Sequence, residues 1–493
     1  MAQDVKSVLG NSVLYTFGNM LLKVFSFFLI PLYTSYLAPE QYGILNLSVS
    51  FTALSSCIIT LGLQFAVIRF YADFRENLIK VGRMFGTIIL SVLSFGIFFS
   101  SLLYFTKDYW CPLFFKEIDF FPVVFLSILI SLVSGLYTVY QDSLKGMQQA
   151  RKSVLLTYVF FFLLLGTNIL TVVVWKMGAA GILGSTLLVN SIMLVVMLID
   201  LNKQGLFVFC IDRTMLFDLL KYSFPIVPHT MSYNVSNFVT RIIINGKMSA
   251  SSLGLFSLAS QFGSVSDIAL NSVQSAFQPW MFSRLNEEKG VIKQSIAHDV
   301  ARTSYLLMWL YGLMYIMIGS FSQEAVILMA AESYHSAWIY VPAMVFTVAI
   351  KGPLFFYNNF LYYQKDKTIF IFIATFVSSL VNILFTWLLI PLYGILGSIA
   401  ADIIAMAVRF IIIIPVIYKQ ASVIYSFVKL AVLSFIPMLF MTLALVPSFY
   451  EMIDDFWINI LYKFFVLGLY GLCIVSVYRN KLMIYLKQLI RHN

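Results

Sequence analysis

About fourteen long apolar runs dominate this sequence of 493 residues and constrain its fold more than any other feature. A helix that crosses a bilayer needs about 20 mostly apolar residues, and each run approaches or exceeds that length. Only 11% of the residues are charged, whereas a soluble globular protein has about 25%. The connections hold at most about 25 residues, fewer than a soluble domain needs. The sequence therefore predicts an all-α polytopic membrane protein with about 14 transmembrane helices.

The basic residues of the connections predict how these helices are oriented. With a cytoplasmic N-terminus, about 23 of the 32 lysines and arginines lie on the cytoplasmic side and about 4 on the other side. Cytoplasmic loops carry this excess in known membrane proteins. The first run, 8–36, is too long for the apolar core of a signal peptide, so we expect it to be retained as the first helix. Both termini are then cytoplasmic. The net charge of +10 needs no nucleic acid as a partner, because the basic loops face an anionic leaflet.

Two short motifs recur at a nearly constant interval. The tripeptide NIL at 168–170 precedes the pentapeptide GILGS at 181–185, and both recur about 213 residues later. Gly43, which begins the second run, similarly recurs as Gly254. The pattern indicates a duplicated unit of six helices whose copies are related by an axis along the membrane normal. We expect an N-terminal lobe at 1–210, a C-terminal lobe at 211–420, and two additional helices with a cytoplasmic tail at 421–493.

Charged residues inside the apolar runs are the first candidates for a functional site. A charge at bilayer depth costs at least about 2.5–3.5 kcal/mol and normally faces the interior of a bundle or a wet cavity. The cations at such depth that we expect to bind substrate are Lys23, Arg241, Lys351 and Arg409. The carboxylates that we expect to act as charge partners or coupling groups are Asp267 and Asp402.

Each of these residues also has a structural interpretation. Arg241 and Lys463 could extend to the outer interface, as long basic side chains do near helix ends. Asp402 and Arg409, seven residues apart on one helical face, could form a structural pair. Asp267 could neutralise a cation or bind a coupling ion. Lys23 and Lys351 lie too deep to reach the interface easily, so we expect them to line a functional cavity.

The seventh run, 219–244, is the most polar of the membrane segments. Pro225 and Pro228 interrupt its hydrogen-bond ladder, and Asn237 contributes to its polar character. Polar backbone at depth is tolerated only against protein or water, so we expect this segment to line the transport path or to bend during transport. The alternative is a kinked helix packed through small residues. Asn19 lies one helical turn before Lys23 and is a further candidate for substrate binding.

The surplus of cations at membrane depth favours an anionic substrate. Lysine and arginine are the usual ligands of phosphate in proteins, and arginine can bind it through two hydrogen bonds. An exporter of organic cations would need the opposite charge. The residues thus favour a substrate that carries phosphate or pyrophosphate. The scattered cysteines and histidines give no metal-binding pattern, and no cofactor is expected.

Three segments resemble a known family. These are the motif L-x-P-x-x-Y-G at 37–43, the segment YSFPIVPH at 222–229, and the hairpin that contains NIL and GILGS. Together they resemble bacterial polysaccharide-biosynthesis flippases of the O-antigen flippase type. That type belongs to the multidrug/oligosaccharidyl-lipid/polysaccharide exporter superfamily. One departure concerns the many relatives that carry an Asp-Arg pair late in the seventh helix, because here Thr240 precedes Arg241.

The resemblance implies a flippase of the bacterial inner membrane and no enzymatic activity. Its substrate would be an undecaprenyl-pyrophosphate-linked oligosaccharide: an O-antigen, capsule or exopolysaccharide repeat unit. Alternating access through a cationic central cavity would carry that substrate from the cytoplasmic to the periplasmic leaflet. The expected partners are this lipid-linked oligosaccharide and membrane lipids, with a polysaccharide polymerase and glycosyltransferases as further candidates. The chain is expected to act as a monomer.

Two other functions remain open at the level of the sequence. An ion-coupled multidrug or organic-cation antiporter of the same fold would need an essential buried carboxylate, which Asp267 or Asp402 could supply. A membrane polysaccharide polymerase would usually need a large outer loop or a catalytic His/Asp cluster, and the connections of this chain are short.

Overall fold

The computed structural model describes residues 27–286, 294–364, 367, 369–453 and 455–492. Within these residues the chain forms 18 α-helices and no strand. In chain order they are α1 (Ile30–Tyr36), α2 (Pro39–Thr60), α3 (Leu63–Phe74), α4 (Leu78–Phe105), α5 (Lys107–Phe114), α6 (Phe125–Gly146), α7 (Ala150–Asn168), α8 (Gly178–Lys203), α9 (Arg213–Ser223), α10 (Val227–Lys247), α11 (Ala250–Asn286), α12 (Gln294–Ser320), α13 (Ser322–Met329), α14 (Val341–Tyr363), α15 (Ile369–Tyr393), α16 (Ile395–Ala421), α17 (Phe427–Phe449) and α18 (Phe456–His492). Short π-helical segments precede α6 and follow α7, and a 3₁₀ segment precedes α14.

Twelve of the described helices are long and apolar enough to cross a membrane. This confirms the predicted all-α, multi-pass class. Two predicted spans are not among the twelve. Most of the first span lies outside the described residues. Only its end is described, as α1. The seventh span is divided between α9 and α10, and its polar residues keep its mean hydropathy low.

The helices group into two compact units. The first contains the described residues up to Ser257 together with Thr375–Ala401. The second contains Leu258–Ala374 and the described residues from Asp402 onward. The lobes expected at 1–210 and 211–420, with two additional helices at 421–493, stay a prediction.

In the first unit, the repeated glycines bring two helices into backbone contact. A Cβ atom on Gly43 of α2 would lie 2.0 Å from the carbonyl oxygen of Ala250, and a Cβ atom on Gly254 of α11 would lie 2.0 Å from the carbonyl oxygen of Pro39. The same interval of 211 residues separates Gly43 from Gly254 and Pro39 from Ala250. The contact is therefore reciprocal, as around a local two-fold axis. This reciprocity supports the duplication that the repeated motifs indicate.

A polar network joins α6, α7 and α8 at one end of the same unit. The hydroxyl of Tyr140 donates to Asp200 Oδ2 at 2.7 Å, and the amide of Gln204 donates to the same oxygen at 2.6 Å. Lys152 forms an ion pair with the other carboxylate oxygen. Beside this network lies an apolar core that includes Phe85 and Leu144, both fully buried. Asp200 is thus neutralised where three helices meet, which is how a carboxylate is retained at a helix end.

In the second unit, a closed ion pair connects α18 to α13. Lys463 Nζ donates to Glu324 Oε1 at 2.6 Å, and the two side chains are 0% and 11% accessible. The sequence favoured the outer interface for Lys463, and that expectation is wrong. The lysine is fully buried because Glu324, far away in the sequence, supplies its countercharge.

The glycine crossing predicts an unusually large effect for a small substitution. Replacing Gly43 or Gly254 by alanine should each destabilise the protein by about 1–3 kcal/mol, because the added methyl group must displace main-chain atoms. The measurement is the unfolding midpoint in a mild detergent. Gly184→Ala in α8 is the control, since nothing lies within 4 Å of its Cβ position. An equal loss of stability in Gly184→Ala would contradict the interpretation.

The closed ion pair predicts strong non-additivity. Lys463→Met should lower the free energy of unfolding by about 3–5 kcal/mol, because it leaves Glu324 buried without a countercharge. The double variant Lys463→Met/Glu324→Met should be much closer to the original protein, because both buried charges are gone. Unfolding midpoints of the two single variants and the double variant test this. Additive losses would show that the pair is not coupled.

Candidate functional site

A polar stripe runs along α11 inside the second unit. Gln261, Ser264, Asp267, Asn271 and Ser275 follow one another at intervals of three or four residues, so they lie on one helical face. None of these five is buried, whereas other positions of the same helix hold fully buried apolar residues. A helix that carries polar side chains along most of a membrane span needs protein or water beside them.

A second polar face occurs on α14. Thr347, Lys351, Asn358 and Tyr362 recur at helical spacing and are half-buried or exposed, with Phe355 between them. Most other positions of this helix are buried against the unit. The row of half-buried polar positions on α14 is distinct from the apolar positions that face its neighbours.

The two polar faces meet in an ion pair. Lys351 Nζ donates to Asp267 Oδ1 at 2.7 Å, and the ammonium group lies 5.6 Å from the ring centroid of Phe355. The side chains of Lys351 and Asp267 keep 29% and 36% of their accessible surface. An ammonium group has three donors, and the pair uses one of them. Two donors therefore remain for a second anionic group. Because the side chain is partly accessible, such a group can reach Lys351 without breaking open a sealed pair.

The first unit positions a further cation on α10. Arg241 is half-buried, and its Nη1 donates to the backbone oxygen of Asn237 at 3.2 Å and lies 3.4 Å from that residue's Oδ1. The structure thus brings together two of the residues that the sequence proposed for substrate binding. Their spacing of four places both on one face of α10, together with the exposed Tyr233.

The repeated asparagines hold α10 and the first span within the first unit. Asn382 Oδ1 accepts hydrogen bonds from the hydroxyls of Ser236 at 2.8 Å and Thr240 at 3.3 Å. Its counterpart Asn168 donates to the hydroxyl of Tyr33 at 2.8 Å. Thr240 stands where many resembling relatives carry an aspartate, and here it helps to anchor α10 beside α15.

The two prolines mark a break between helices. α9 ends at Ser223 and α10 begins at Val227, so the single helix expected at 219–244 is two helices. Pro225 lies in the break, and Pro228 lies in the first turn of α10, where a missing N–H group costs little.

At the other end of α9, the Thr214 hydroxyl and the Met215 N–H donate to the Asp212 carboxylate and lower the pKa of that group.

The remaining candidates lie elsewhere. Asp402 and Arg409 are both half-buried on α16 in the second unit, two helical turns or about 10 Å apart along the axis. Asn19 and Lys23 lie outside the described residues. The roles of all these residues stay predictions.

The stripe of α11 is not among the residues predicted from the sequence, although the sequence carries a signal for it. Polar residues at intervals of three or four in an otherwise apolar run indicate one wet face, by the same periodicity that identifies an amphipathic helix. Asp267 alone attracted attention because of its charge. Asn271 and Ser275 lie on the same face and are uncharged.

Comparison with known families identifies the protein's relatives. A family model described as "Polysaccharide biosynthesis protein" matches residues 8–285, more than half of the chain. The chain belongs to this polysaccharide biosynthesis family. A curated relative, protein 1 of the Lsg locus of Haemophilus influenzae, is 26% identical over 216 residues, or 43% of this chain and 50% of the relative. The chain thus aligns with about half the length of that curated relative.

Solved structures show where this fold occurs. The inward closed conformation of the lipid II flippase MurJ matches with a TM-score of 0.66 at 14% identity, over 98% of this chain and 100% of that one. An inward-facing multidrug resistance MATE family transporter of the MOP superfamily matches with a TM-score of 0.61 at 13% identity, over 82% and 96% of the two chains. Identities this low show a shared fold. Family and fold together support a membrane flippase or transporter.

The polar stripe predicts water beside α11. In a variant whose four native cysteines are serine, Ser264→Cys and Asn271→Cys should react with a charged methanethiosulfonate reagent. The rate should exceed that of Leu310→Cys, an exposed apolar position on α12, by about tenfold or more, because the reactive thiolate forms in water and not in hydrocarbon. Labelling in native membranes measures this. Equal rates at the three positions would mean that the stripe faces lipid.

Proposed function

We propose that this protein is a flippase for an undecaprenyl-pyrophosphate-linked oligosaccharide. It would move an O-antigen, capsule or exopolysaccharide repeat unit from the cytoplasmic to the periplasmic leaflet of the bacterial inner membrane. The family assignment and the fold shared with a lipid II flippase support a lipid-linked substrate. The observation that carries the proposal is the partly accessible side chain of Lys351, paired with Asp267 in the middle of a membrane-spanning helix.

The physical problem for such a protein is the headgroup. A chain of sugars and a pyrophosphate cannot cross hydrocarbon unaided, because each unpaired polar group costs several kcal/mol. The stripes of α11 and α14 offer hydroxyl, amide and charged groups along a membrane span. A wet path of this kind replaces the hydration of the headgroup, while the polyprenyl chain remains in lipid.

The ion pair gives the proposed path a way to exchange partners. In the structure Lys351 is held by Asp267. A pyrophosphate carries more than one negative charge and several acceptor oxygens, so it competes with a single carboxylate for the ammonium group. Once Lys351 turns to the substrate, Asp267 needs a proton or another cation. Asp267 would thereby couple substrate binding to a proton or another cation.

The other proposed substrate-binding cations are described within their own units. Arg241 on α10 lies in the first unit and Arg409 on α16 in the second, while Lys23 belongs to the first predicted span. Asn19 and Asn237 would supply further hydrogen bonds, and Asp402 would balance the charge of Arg409. Alternating access would change which side of the membrane the site faces, with Pro225 and Pro228 marking a place where the backbone can bend.

The arrangement favours an anion over a cation as substrate. A cation antiporter on this fold would need Asp267 or Asp402 to bind its substrate or its coupling ion. Asp267 already accepts a hydrogen bond from Lys351, and a cation would have to displace that ammonium group. Transport of small organic cations that depends on Asp267 but not on Lys351 would favour the antiporter.

We further propose that glycosyltransferases supply the substrate, that a polymerase consumes it, and that the flippase itself is a monomer.

The proposal predicts a graded effect of substitutions at Lys351. In a strain that lacks its own flippase, Lys351→Ala should reduce transport of lipid-linked repeat units by about tenfold or more, the value of one lost charged hydrogen bond. Lys351→Arg should retain most activity, because it keeps the charge and the donors. The measurement is the amount of lipid-linked repeat unit that accumulates on the cytoplasmic side.

The control for this assay is Lys203→Ala, which removes an exposed cation at the end of α8. It should transport normally. A double variant Lys23→Ala/Lys351→Ala that transports as well as the unmodified protein would reject the cationic site. Failure of every variant, including Lys203→Ala, would indicate a general defect in insertion.

A further inference from the structure

A second cationic cluster lies in the second unit, where α12, α17 and α18 line one pocket. His298 and Arg302 lie in the first turns of α12, Lys429 in the first turn of α17, and Tyr478 on α18. With Tyr305 and Val477 they line a pocket of about 400 Å³. This pocket has no part in the proposed transport site.

Among the described residues, the cations of this pocket have no carboxylate partner. In residues 27–286, 294–364, 369–453 and 455–478, no ion pair involves His298, Arg302 or Lys429. Asp299 is adjacent to His298 in sequence but does not line the pocket. Two permanent positive charges, those of Arg302 and Lys429, therefore face the same space.

The pocket is also partly preorganised. Lys429 Nζ lies 4.3 Å from the ring centroid of Tyr305, a cation–π contact that directs the ammonium group. The hydroxyl of Tyr305 accepts a hydrogen bond from the backbone N–H of Ser426 at 2.8 Å, which fixes the ring against the start of α17. The N-terminus of α17 adds the positive end of a helix dipole beside Lys429.

The position of the pocket indicates the kind of anion. The basic-residue pattern of the sequence assigns Arg302 and Lys429 to connections at the cytoplasmic ends of apolar runs, so we expect the pocket at the depth of lipid headgroups. From Arg302, the exposed apolar residues Leu306 and Leu310 continue along the same helical face towards the middle of the span. Along this face of α12 a basic residue is followed by a row of apolar residues, which is the order of the phosphate and the acyl chain in a phospholipid.

We propose that this pocket binds the phosphate of an anionic phospholipid of the adjacent leaflet, with an acyl chain along Leu306 and Leu310. Basic pockets between membrane helices bind such headgroups. The lipid would join α12, α17 and α18, because its phosphate contacts all three. In the orientation predicted from the basic loops, that leaflet is the cytoplasmic one. The bound lipid would be a resident of the protein and would not be transported.

Native mass spectrometry of the purified full-length protein tests the proposal with three probes. Phosphatidylglycerol should bind at least about tenfold more tightly than phosphatidylcholine, because each basic residue near the surface contributes about 1 kcal/mol. Inorganic phosphate at equal concentration should not displace it. Equal binding of the two lipids, or full displacement by phosphate, would overturn the proposal, the latter in favour of a free-phosphate site.

Matched variants assign the lipid to this pocket. Arg302→Gln/Lys429→Gln should weaken phosphatidylglycerol binding by about thirtyfold, from two lost charges. Arg213→Gln/Lys221→Gln removes the same charge from the exposed surface of α9 and should bind normally. Arg302→Lys/Lys429→Arg should retain most of the affinity. An equal loss in the α9 variant would show that binding follows net charge and not this pocket. The lipid comparison on the unmodified protein stands even where a variant folds poorly.

Discussion

The cost of placing a charge inside hydrocarbon governs this structure. An unpaired charge at membrane depth is expensive, so each lysine or arginine in a spanning helix needs a countercharge or water. The second unit contains both solutions. Lys463 is sealed against Glu324 with no accessible surface, whereas Lys351 is paired with Asp267 and stays accessible. Their chemistry is the same, but only the accessible pair can exchange its partner without opening the protein.

The repeated motifs hold helices together within the first unit, although the two occurrences make different contacts. The glycine crossing of α2 and α11 is reciprocal, so neither helix can move closer or carry a larger residue there. The repeated asparagines occupy equivalent positions and are both buried. Yet Asn168 binds a tyrosine hydroxyl, while Asn382 accepts from Ser236 and Thr240 on α10. The asparagine of the second NIL motif therefore holds the polar helix that carries Arg241.

The sequence predicted the fold class well because the bilayer leaves few alternatives. Long apolar runs must form helices, and the structure has them. The predictions failed where the decisive partner is distant or the local chemistry outweighs hydropathy. Lys463 looked like an interfacial lysine because nothing near it in sequence reveals Glu324. The run 219–244 looked like one helix, but the segment around Pro225 ends α9 and starts α10. The stripe of α11 was different: its polar residues recur at helical spacing and could have been recognised from the sequence.

An accessible ion pair suits a transporter better than an isolated cation does. A site that moves a pyrophosphate must bind it on one side and release it on the other, so binding must be neither absent nor too strong. A lone buried lysine would bind the anion tightly, because nothing else would neutralise it in a medium of low dielectric constant. Asp267 competes for the same ammonium group and lowers the net gain from substrate. In the proposed function the carboxylate would thus set the affinity of the site, and it would regain the Lys351 hydrogen bond seen in the structure when the substrate leaves. On this argument the pair is the part of the site that makes release possible.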